Sequence, residues 1–451
     1  MSLESHFATT TIPGATADLP SHVGKYRILR RLGEGATSDV FLAEDPFNKT
    51  EVAIKRMRAW ASGHGDGDVG LRFYSAEAAL AGKLFHPNVV QILDAVPEAG
   101  APYLVMEYVP GVTLKHFCRS DRLLPLDQIV ELGFKCAMAL SYVFRQGVIH
   151  RDVKPANLLA LIDTQGYVTD VKVSDFGSAL NLMSDATQVH RVGSLAYMPP
   201  EQIEGGDVDM RADIYALGAV LYHLIAGRPP FDAPNQMALM HQIYHQTPPS
   251  LVGLRGGVTL ELDTVIMKAL AKHPSERYAD WEAFGRALSE LVSQQHVPLA
   301  RFSEVKDSER FNMLRALEFF GDFGDVELWE VVRRARWRRF PPDHALYKKG
   351  QEGNTFHIIA QGDVEVWRDG NLVATMGQGT SVGEMAYLSP NPALRRHSTN
   401  IKVKSESCTT ISFTPESLGL LSPECQHRFD RAFIQVLVRR LHAAQETLAR
   451  R

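Results

Sequence analysis

Short apolar runs separated by polar turns dominate the first hundred residues, and this pattern predicts β-strands. Residues 41–43 and residues 52–55 each form such a run, and Gly33 and Gly35 lie between the apolar segments that precede them. Glu77 falls in a later stretch whose spacing is helical. The pattern therefore predicts strands joined by a glycine loop and followed by a helix.

Helical spacing returns after residue 308, and a strand pattern follows it. The apolar positions of the predicted helices at residues 309–334 are Leu314, Leu317, Phe320, Val326, Leu328 and Val332. Three further apolar runs predict strands at residues 356–359, 364–367 and 372–374. The last two flank Asp369-Gly370, a strong hairpin-turn signal, and a final helix is predicted at residues 428–450. These elements predict a small antiparallel barrel or jelly roll flanked by helices.

The chain has 451 residues, a formal net charge of -4 and 22% charged residues. This length favours two or three domains, and the small net charge gives no global reason to bind nucleic acid. An arginine-rich run at residues 333–339 also contains Trp337, a combination that can indicate nucleic-acid binding. Because the run is short and lies where a helix meets a strand, a solvated or docking surface is the favoured interpretation. No nucleic-acid partner is therefore expected.

The chain also lacks the usual marks of a secreted or membrane protein. No apolar run approaches the roughly 20 residues that cross a bilayer. Residues 1–22 are rich in Ser, Thr, Ala and Pro, which predicts a disordered tail rather than a signal peptide. Cys118, Cys136, Cys408 and Cys425 form no Cys-x-x-Cys pair, so neither a zinc site nor a disulfide framework is indicated. A cytoplasmic protein without a membrane anchor is expected.

The most informative polar residues lie in one short stretch and at one position downstream. Asp152 is followed by Lys154 and Asn157, and Asp175 begins an Asp-Phe-Gly triplet. A carboxylate can accept the proton of a substrate hydroxyl, and an ammonium can offset the charge of a moving phosphoryl group. Mg²⁺ prefers carboxylate and amide oxygens, which Asp175 and Asn157 would supply. Phosphoryl transfer requires this set of groups.

Together with the glycine loop and Lys55, these motifs resemble the Hanks-type family of serine/threonine protein kinases over residues 25–293. The resemblance implies a two-lobed fold, with an N-lobe at residues 25–109 and a C-lobe at residues 110–293. It also implies that Lys55 pairs with the ATP phosphates and with Glu77. The implied ATP-binding residues are Gly33, Gly35, Val40, Ala53, Lys55, Met106, Glu107 and Val109. ATP and Mg²⁺ are the expected cofactors.

The resemblance indicates a substrate class as well. Lys154, two residues after the expected base, is typical of the serine/threonine kinases, so Ser and Thr hydroxyls of proteins are the expected substrates. Arg151 lies beside the base, where kinases of this family usually neutralise an arginine with a phosphate on the activation segment. Among Ser178, Ser184 and Thr187, Thr187 is the favoured phosphorylation site.

Motifs of the second half resemble a cyclic nucleotide-binding domain, predicted at residues 309–445. Gly383, Glu384 and Met385 match the segment that, in the family, opens a short helix whose backbone N–H groups receive the cyclic phosphate. The family's glutamate accepts the ribose 2′-hydroxyl, and an arginine pairs with the phosphate. Placing the next strand on Ile401 and Val403 puts His397 or Arg396 at the position of that arginine, and Arg396 is favoured.

The sequence thus predicts an α+β protein, in which a two-lobed protein kinase fold is followed by a linker at residues 294–308 and a helix-flanked β jelly roll. The expected function is a protein kinase regulated by cyclic AMP or cyclic GMP. Two alternatives stay open. The chain could be a nucleotide-sensing scaffold with an inert kinase domain, or an active kinase whose second domain only binds proteins. Polar residues at every catalytic position favour an active kinase.

Overall fold

A computed structural model describes residues 19–35, 37–58, 66–98, 101–163, 167–181, 195–298, 306–389 and 395–449. Most of the predicted disordered tail and the predicted phosphorylation site Thr187 lie outside the described residues. Within these ranges, none of the helices combines the length and the apolar composition that a membrane crossing requires.

The chain folds into two compact units, each made of separate stretches of sequence. The first unit contains Met1–His116, Val143–Ala216 and Phe231–Gln246. The second unit contains Phe117–Tyr142, Leu217–Pro230 and Thr247–Arg451. The segment just before residue 143 therefore belongs to the same unit as the C-terminal part of the chain.

The first unit contains the strands up to residue 181. These strands are β1 (His22–Val23), β2 (Tyr26–Glu34), β3 (Ser38–Glu44), β4 (Glu51–Met57), β5 (Ile92–Val96), β6 (Tyr103–Glu107), β7 (Gly111–Thr113), β8 (Val148–Ile149), β9 (Leu158–Ile162), β10 (Val168–Val173) and β11 (Leu180–Asn181). Its helices are α1 (Asp66–Ala78), α3 (Pro200–Glu204) and α5 (Gln236–His245). Two helices continue from one unit into the other, namely α2 (Leu126–Arg145) and α4 (Met210–Ala226).

The second unit contains the remaining elements. Its helices are α6 (Leu260–Ala269), α7 (Trp281–Ser293), α8 (Asp307–Ala316), α9 (Asp325–Arg334), α10 (Glu384–Leu388), α11 (Pro415–Gly419) and α12 (Pro423–Ala449). Its strands are β12 (Arg336–Phe340), β13 (Ala345–Tyr347), β14 (Phe356–Gln361), β15 (Val364–Arg368), β16 (Asn371–Met376), β17 (Ser381–Val382), β18 (Asn400–Val403) and β19 (Cys408–Phe413).

A six-stranded sheet in the order β1-β2-β3-β4-β6-β5 forms the beginning of the first unit. Side chains alternate between the two faces of a strand, so each strand supplies residues to both faces. One face packs into a core whose buried members are Val23, Tyr26, Phe41, Ala43, Val52, Ile54, Tyr103 and Val105. The opposite face is left to carry the candidate ATP-binding residues.

Helix α2 is buried on all sides, which is unusual for a helix of a globular protein. Every residue from 129 to 141 is buried, and these include Glu131 and Lys135. Buried charges require partners, because an unpaired charge in the interior costs several kcal/mol. Those partners come from the C-terminal part of the second unit.

Residues 336–413 form two four-stranded sheets, in the orders β12-β19-β14-β17 and β13-β18-β15-β16. The core that they share includes Ile359, Val364, Val382 and Val403. Helices precede and follow these sheets in the chain, so the predicted α+β class with a helix-flanked jelly roll is confirmed.

The structure also tests the individual element predictions. The hairpin between β15 and β16 turns at Asp369 and Gly370, both with positive φ, as predicted. The predicted helices at residues 309–334 are α8 and α9, and of the predicted apolar positions only Val326 is not fully buried. The last helix begins at Pro423, five residues earlier than predicted, because Pro423 is well accommodated in a first turn.

Candidate active site and nucleotide site

Lys55 lies at the centre of a charged cluster in the first unit. Its Nζ, on β4, is 2.8 and 2.9 Å from the two carboxylate oxygens of Glu77 on α1. The same Nζ is 2.8 Å from Asp175 Oδ1. Lys55 and Glu77 are 8% and 1% exposed, so this pair is held out of water. Three predicted site residues are therefore brought together.

Burial and mutual attraction act against each other in this cluster. Burial alone would lower the pKa of Lys55, but the charges of Asp175 and Glu77 outweigh it and raise that pKa. Partial removal from water would raise the pKa of Asp175, yet the charge of the neighbouring Lys55 holds it well below its usual range. Burial raises the pKa of Glu77, which shares the cation with Asp175. Lys55 is therefore a permanent cation in this site.

The second group of predicted residues surrounds the Asp152 carboxylate. Lys154 Nζ donates to Asp152 Oδ2 over 2.6 Å. Asn157 Nδ2 donates to Asp152 Oδ2 over 3.1 Å and to the Asp152 backbone carbonyl over 2.8 Å. These bonds fix the orientation of the carboxylate and place an ammonium next to it.

The loop that carries Asp152 has a strained backbone. Arg151 and Asp175 have φ values of 64° and 65°, a left-handed conformation that is uncommon for residues other than glycine. The Asp213 carboxylate accepts the backbone N–H groups of His150 over 2.7 Å and Arg151 over 2.8 Å. Gln202 Nε2 donates to the Arg151 carbonyl over 2.8 Å. The surrounding structure thus holds the strained loop in place.

Asn157 and Asp175 provide the donor atoms that Mg²⁺ prefers. The amide nitrogen of Asn157 is directed to Asp152, which leaves its side-chain oxygen as the atom that can ligate a metal. Ser174 donates both its N–H and its hydroxyl to the Asn157 carbonyl over 2.9 Å, which keeps the residue before Asp175 next to Asn157. The side chain of Asp175 is 45% exposed. These oxygen donors fit Mg²⁺.

The register of the sheet aligns the candidate ATP-binding residues. Gly33 pairs with Val40 and Val40 pairs with Lys55, while Ala53 pairs with Met106. Because paired residues and residues two apart lie on the same face, Val40, Ala53, Lys55 and Met106 share the face opposite the sheet core. Apolar side chains beside one lysine suit a flat base attached to phosphates.

Three further predicted residues lie at the edges of this face. The Gly35 N–H donates to the Ser38 carbonyl over 2.8 Å and closes the turn between β2 and β3. Glu107, at the end of β6, pairs its carboxylate with Lys172 over 2.8 Å. Val109 follows it and is buried.

In the second unit, Glu384 begins helix α10 and is only 2% exposed. Arg440, on α12, donates Nη1 to Glu384 Oε1 and Nη2 to the Ser381 carbonyl, the latter over 2.6 Å. Burial raises the pKa of Glu384 in spite of this cation. Glu384 Oε2 and Ser381 Oγ are buried without a hydrogen-bond partner among the described residues. Buried polar atoms of this kind call for a polar ligand or water.

Gly383 precedes this helix with a φ of 86°. A Cβ at this position would lie 2.4 Å from Tyr347 Oη, so only glycine fits. Met385, also predicted to bind the nucleotide, is 70% exposed.

The two candidates for the phosphate position have different surroundings. Arg396 is exposed and donates Nη1 to the Gly350 carbonyl over 2.9 Å. His397 is 8% exposed and stacks on Tyr347 with ring centroids 3.9 Å apart. Since Tyr347 also touches the Gly383 position, the interior neighbour of this segment is His397, while Arg396 lies at the surface and stays the predicted phosphate partner. The longer loop before β18 made this register ambiguous in the sequence.

Comparison with known families identifies the protein family to which the site around Lys55 and Asp152 belongs. Residues 26–291, more than half of the chain, match the family described as Protein kinase domain. The chain belongs to the protein kinase family. Residues 337–418 match the family described as Cyclic nucleotide-binding domain.

Similar curated proteins include serine/threonine-protein kinases of several bacteria. PknB of Mycobacterium leprae is 39% identical over 270 residues, which are 57% of this chain and 42% of the relative. PknB of Mycolicibacterium smegmatis is 38% identical over 308 residues, 66% of this chain and 47% of the relative. PrkC of Bacillus subtilis is 34% identical over 302 residues, 66% of this chain and 45% of the relative. The chain thus spans less than half the length of these relatives.

Some residues that shape the candidate kinase site and the surroundings of Glu384 carry no readable signal in the sequence. Gln202 acts on the kinase's catalytic loop through its backbone, and such a backbone partner leaves no motif in its own neighbourhood. Arg440 lies 56 residues after Glu384, on a helix whose other arginines look the same. Only the folded structure shows that Arg440, among the arginines of this helix, is the one that binds Glu384.

Proposed function

We propose that this chain is a serine/threonine protein kinase that transfers the γ-phosphoryl group of ATP to Ser and Thr hydroxyls of proteins, in the cytoplasm. The observation that carries the proposal is Lys55, held within 2.9 Å of both Glu77 and Asp175 on the face that also presents the apolar residues. An inert scaffold has no need to keep three charges in this buried geometry, which is costly unless it is used.

The proposed mechanism consists of positioning and charge stabilisation. Lys55 holds the ATP phosphates, and its pairing with Glu77 fixes its direction. Asp152 orients the attacking hydroxyl and accepts its proton, while Lys154, 2.6 Å away, offsets charge on the moving phosphoryl group. Mg²⁺, held by Asp175 and Asn157, would neutralise part of the phosphate charge.

Phosphorylation of Thr187 stays part of this proposal. Arg151 supports it, because burial lowers the pKa of this guanidinium and a nearby phosphate would stabilise the charged form. A phosphate carries nearly two negative charges at neutral pH, more than one carboxylate can supply.

We also propose that the second domain binds a cyclic nucleotide and thereby changes the kinase activity. Glu384 Oε2 supports this, since it is buried and has no hydrogen-bond partner in the part of the chain that the structure describes, and a ribose hydroxyl would supply the missing donor. On the phosphate side, burial lowers the pKa of His397, and Arg396 stays the proposed partner of the phosphate. Arg396 would have to leave Gly350 to take that role.

Asp152→Asn tests the kinase proposal. The purified parent, given ATP and Mg²⁺, should phosphorylate itself or a generic basic protein on Ser or Thr. The variant should be slower by about 10²- to 10⁴-fold, because an amide cannot accept the proton. ATP affinity, measured by calorimetry, should stay unchanged because Asp152 is not among the ATP-binding residues.

Asp121→Asn is the matched control, since Asp121 is an exposed partner of Arg119 and should not matter. The same assay with saturating cyclic AMP or cyclic GMP tests the effector proposal. Full activity in Asp152→Asn would refute the role of that residue. A parent that never phosphorylates would instead favour the inert scaffold, and failure to bind either nucleotide would leave the protein-binding alternative for the second domain.

A further inference from the structure

The start of helix α8 is capped by a residue of helix α2. The backbone N–H of Ser308 donates to Glu131 Oε1 over 3.0 Å, and its hydroxyl donates to Glu131 Oε2 over 2.5 Å. Ser308 and Glu131 are 0% and 8% exposed. The first N–H groups of a helix have no acceptor inside the helix, and negative charge is stabilised there. A carboxylate of the kinase domain therefore completes the first helix of the second domain.

Two ion pairs flank this cap. Lys135 Nζ lies 2.9 Å from Asp307 Oδ2, and Lys306 Nζ lies 2.9 Å from Asp127 Oδ2. Asp127, Glu131 and Lys135 are four residues apart and so line one face of α2. Asp127 and Lys135 are only 1% and 3% exposed. Since buried charges are destabilising without their partners, this face is built to hold α8.

An aromatic contact lies next to the charged one. The Phe134 ring of α2 is 6.1 Å from the Phe311 ring on α8 and 6.2 Å from the Trp329 ring on α9. Phe311 and Trp329 are 4.9 Å apart, and both are completely buried. Helices α8 and α9 thus contact α2 through a packed apolar cluster as well as through the ion pairs of α8.

Further aromatic contacts connect the segment that follows α8 with helix α12 and with helix α10, which begins at Glu384. Phe320, which follows α8, lies 6.0 Å from Phe429 on α12. Phe433, one turn further along α12, is 6.4 Å from Phe429 and 6.2 Å from Tyr387 in α10. Helix α10 begins at Glu384, which is bound by Arg440 of the same helix α12. A movement of α10 or α12 must therefore be accommodated by helices α8 and α9, which contact α2.

We propose that helix α8 transmits the state of the second domain to the catalytic loop through helix α2, with Glu131, Phe134 and Lys135 as the receiving surface. The proposal rests on the proposed kinase function and on its regulation by a nucleotide. Helix α2 ends at Arg145, five residues before His150, so a shift along α2 displaces the loop that carries Asp152. Arg151, next to Asp152, keeps its left-handed conformation because Asp213 and Gln202 hold its backbone, so a displacement of the loop relative to these residues would disturb that conformation.

The double variant Asp307→Asn/Ser308→Ala tests this coupling. It removes the ion pairs of Asp307 with Lys135 and with Arg310 and one cap hydrogen bond, while nearly keeping the sizes of the side chains and keeping every catalytic residue. Asp322→Asn is the matched control, because its ion pair with Arg431 stays inside the second domain. Phosphorylation rate with and without saturating cyclic AMP or cyclic GMP, nucleotide affinity, and amide hydrogen exchange of residues 126–145 are measured for all three proteins.

In the parent and the control, the nucleotide should change both the rate and the exchange of α2. In the double variant, basal rate and nucleotide affinity should stay within about twofold, while the nucleotide-induced change in rate falls by about threefold or more. Exchange of α2 should rise in the double variant even without nucleotide, because its buried partners are weakened.

An undiminished nucleotide response in the double variant, with α2 exchange raised, would overturn the coupling and leave the proposed function intact. A parent that phosphorylates but ignores a bound nucleotide would overturn both the coupling and the regulation. If the parent does not phosphorylate at all, the kinase proposal fails by itself. A nucleotide-dependent change in α2 exchange, absent from the double variant, would then still support the coupling.

Discussion

His357 shows how a single buried side chain couples folding to pH. Burial, followed by the charges of Arg338 and His397, lowers its pKa to about 4. Its Nδ1 lies 3.0 Å from Thr410 Oγ1, and the ring packs 5.3 Å from that of Tyr347. Protonation is therefore more difficult in the folded protein than in the unfolded chain.

The sign of the resulting pH dependence follows from the shift. With an unfolded pKa of about 6.5, the unfolded chain binds more protons than the folded protein between roughly pH 4 and pH 6.5. Stability is thus complete above the unfolded pKa and is lost as the pH falls from there towards 4. Lowering the pH from 7 to 5 should remove about 2 kcal/mol of the free energy of unfolding.

His357→Gln should abolish this loss, while the exposed control His427→Gln should keep it. Urea titrations at pH 7 and pH 5 measure the free energy of unfolding of the parent and of both variants. Equal acid sensitivity in His357→Gln and in the parent would show that other groups are responsible.

At the scale of elements, Arg440 joins two helices that the sequence does not connect. Arg440 lies on α12 and forms an ion pair with Glu384 of α10. The side chains of Glu384 and Arg440 are 2% and 36% exposed. Arg440→Met should destabilise the second domain by about 1–3 kcal/mol, since a buried carboxylate loses its donor. Glu384→Gln/Arg440→Met should recover much of this stability, because a neutral amide does not need the cation.

Arg439→Met provides the control for that pair. Its partner Glu318 is 81% exposed, so the loss should be less than about 1 kcal/mol. Thermal denaturation compares the stability of the parent, the two single variants and the double variant. If the double variant were no more stable than Arg440→Met, packing of the arginine stem rather than its charge would explain the loss.

The elements also show where prediction from sequence succeeds. Lys55 and Glu77 were assigned because dense local motifs surround them, and their contact follows from the strand and helix that those motifs predict. The sequence alone leaves the choice between Arg396 and His397 to the register, because a one-residue change of register moves a side chain to the other face of a strand. Glu131 gave no signal at all, since one acidic residue in an apolar helix does not reveal a partner 177 residues away.

For the whole molecule, a nucleotide that alters the kinase must obey reciprocity. If cyclic nucleotide changes the affinity for ATP by some factor, ATP must change the affinity for the nucleotide by the same factor. Calorimetric titration with cyclic AMP and cyclic GMP, with and without ATP and Mg²⁺, should reveal a coupling of about 1–3 kcal/mol. Glu384→Gln should weaken nucleotide binding in both conditions, whereas equal nucleotide affinities with and without ATP would confine any regulation to the rate of transfer.

The cap on helix α8 has a consequence for the synthesis of the chain. Glu131 leaves the ribosome 177 residues before Ser308. At roughly 5–20 residues per second, this delay lasts about 10 to 35 s. During that time the contacts of Glu131, Phe134 and Lys135 with helix α8 are not yet made, so the newly made kinase domain presents a charged and aromatic surface to the cell. Chaperone binding at this surface, and the translation speed between the two halves, would then help to decide how much of the protein matures.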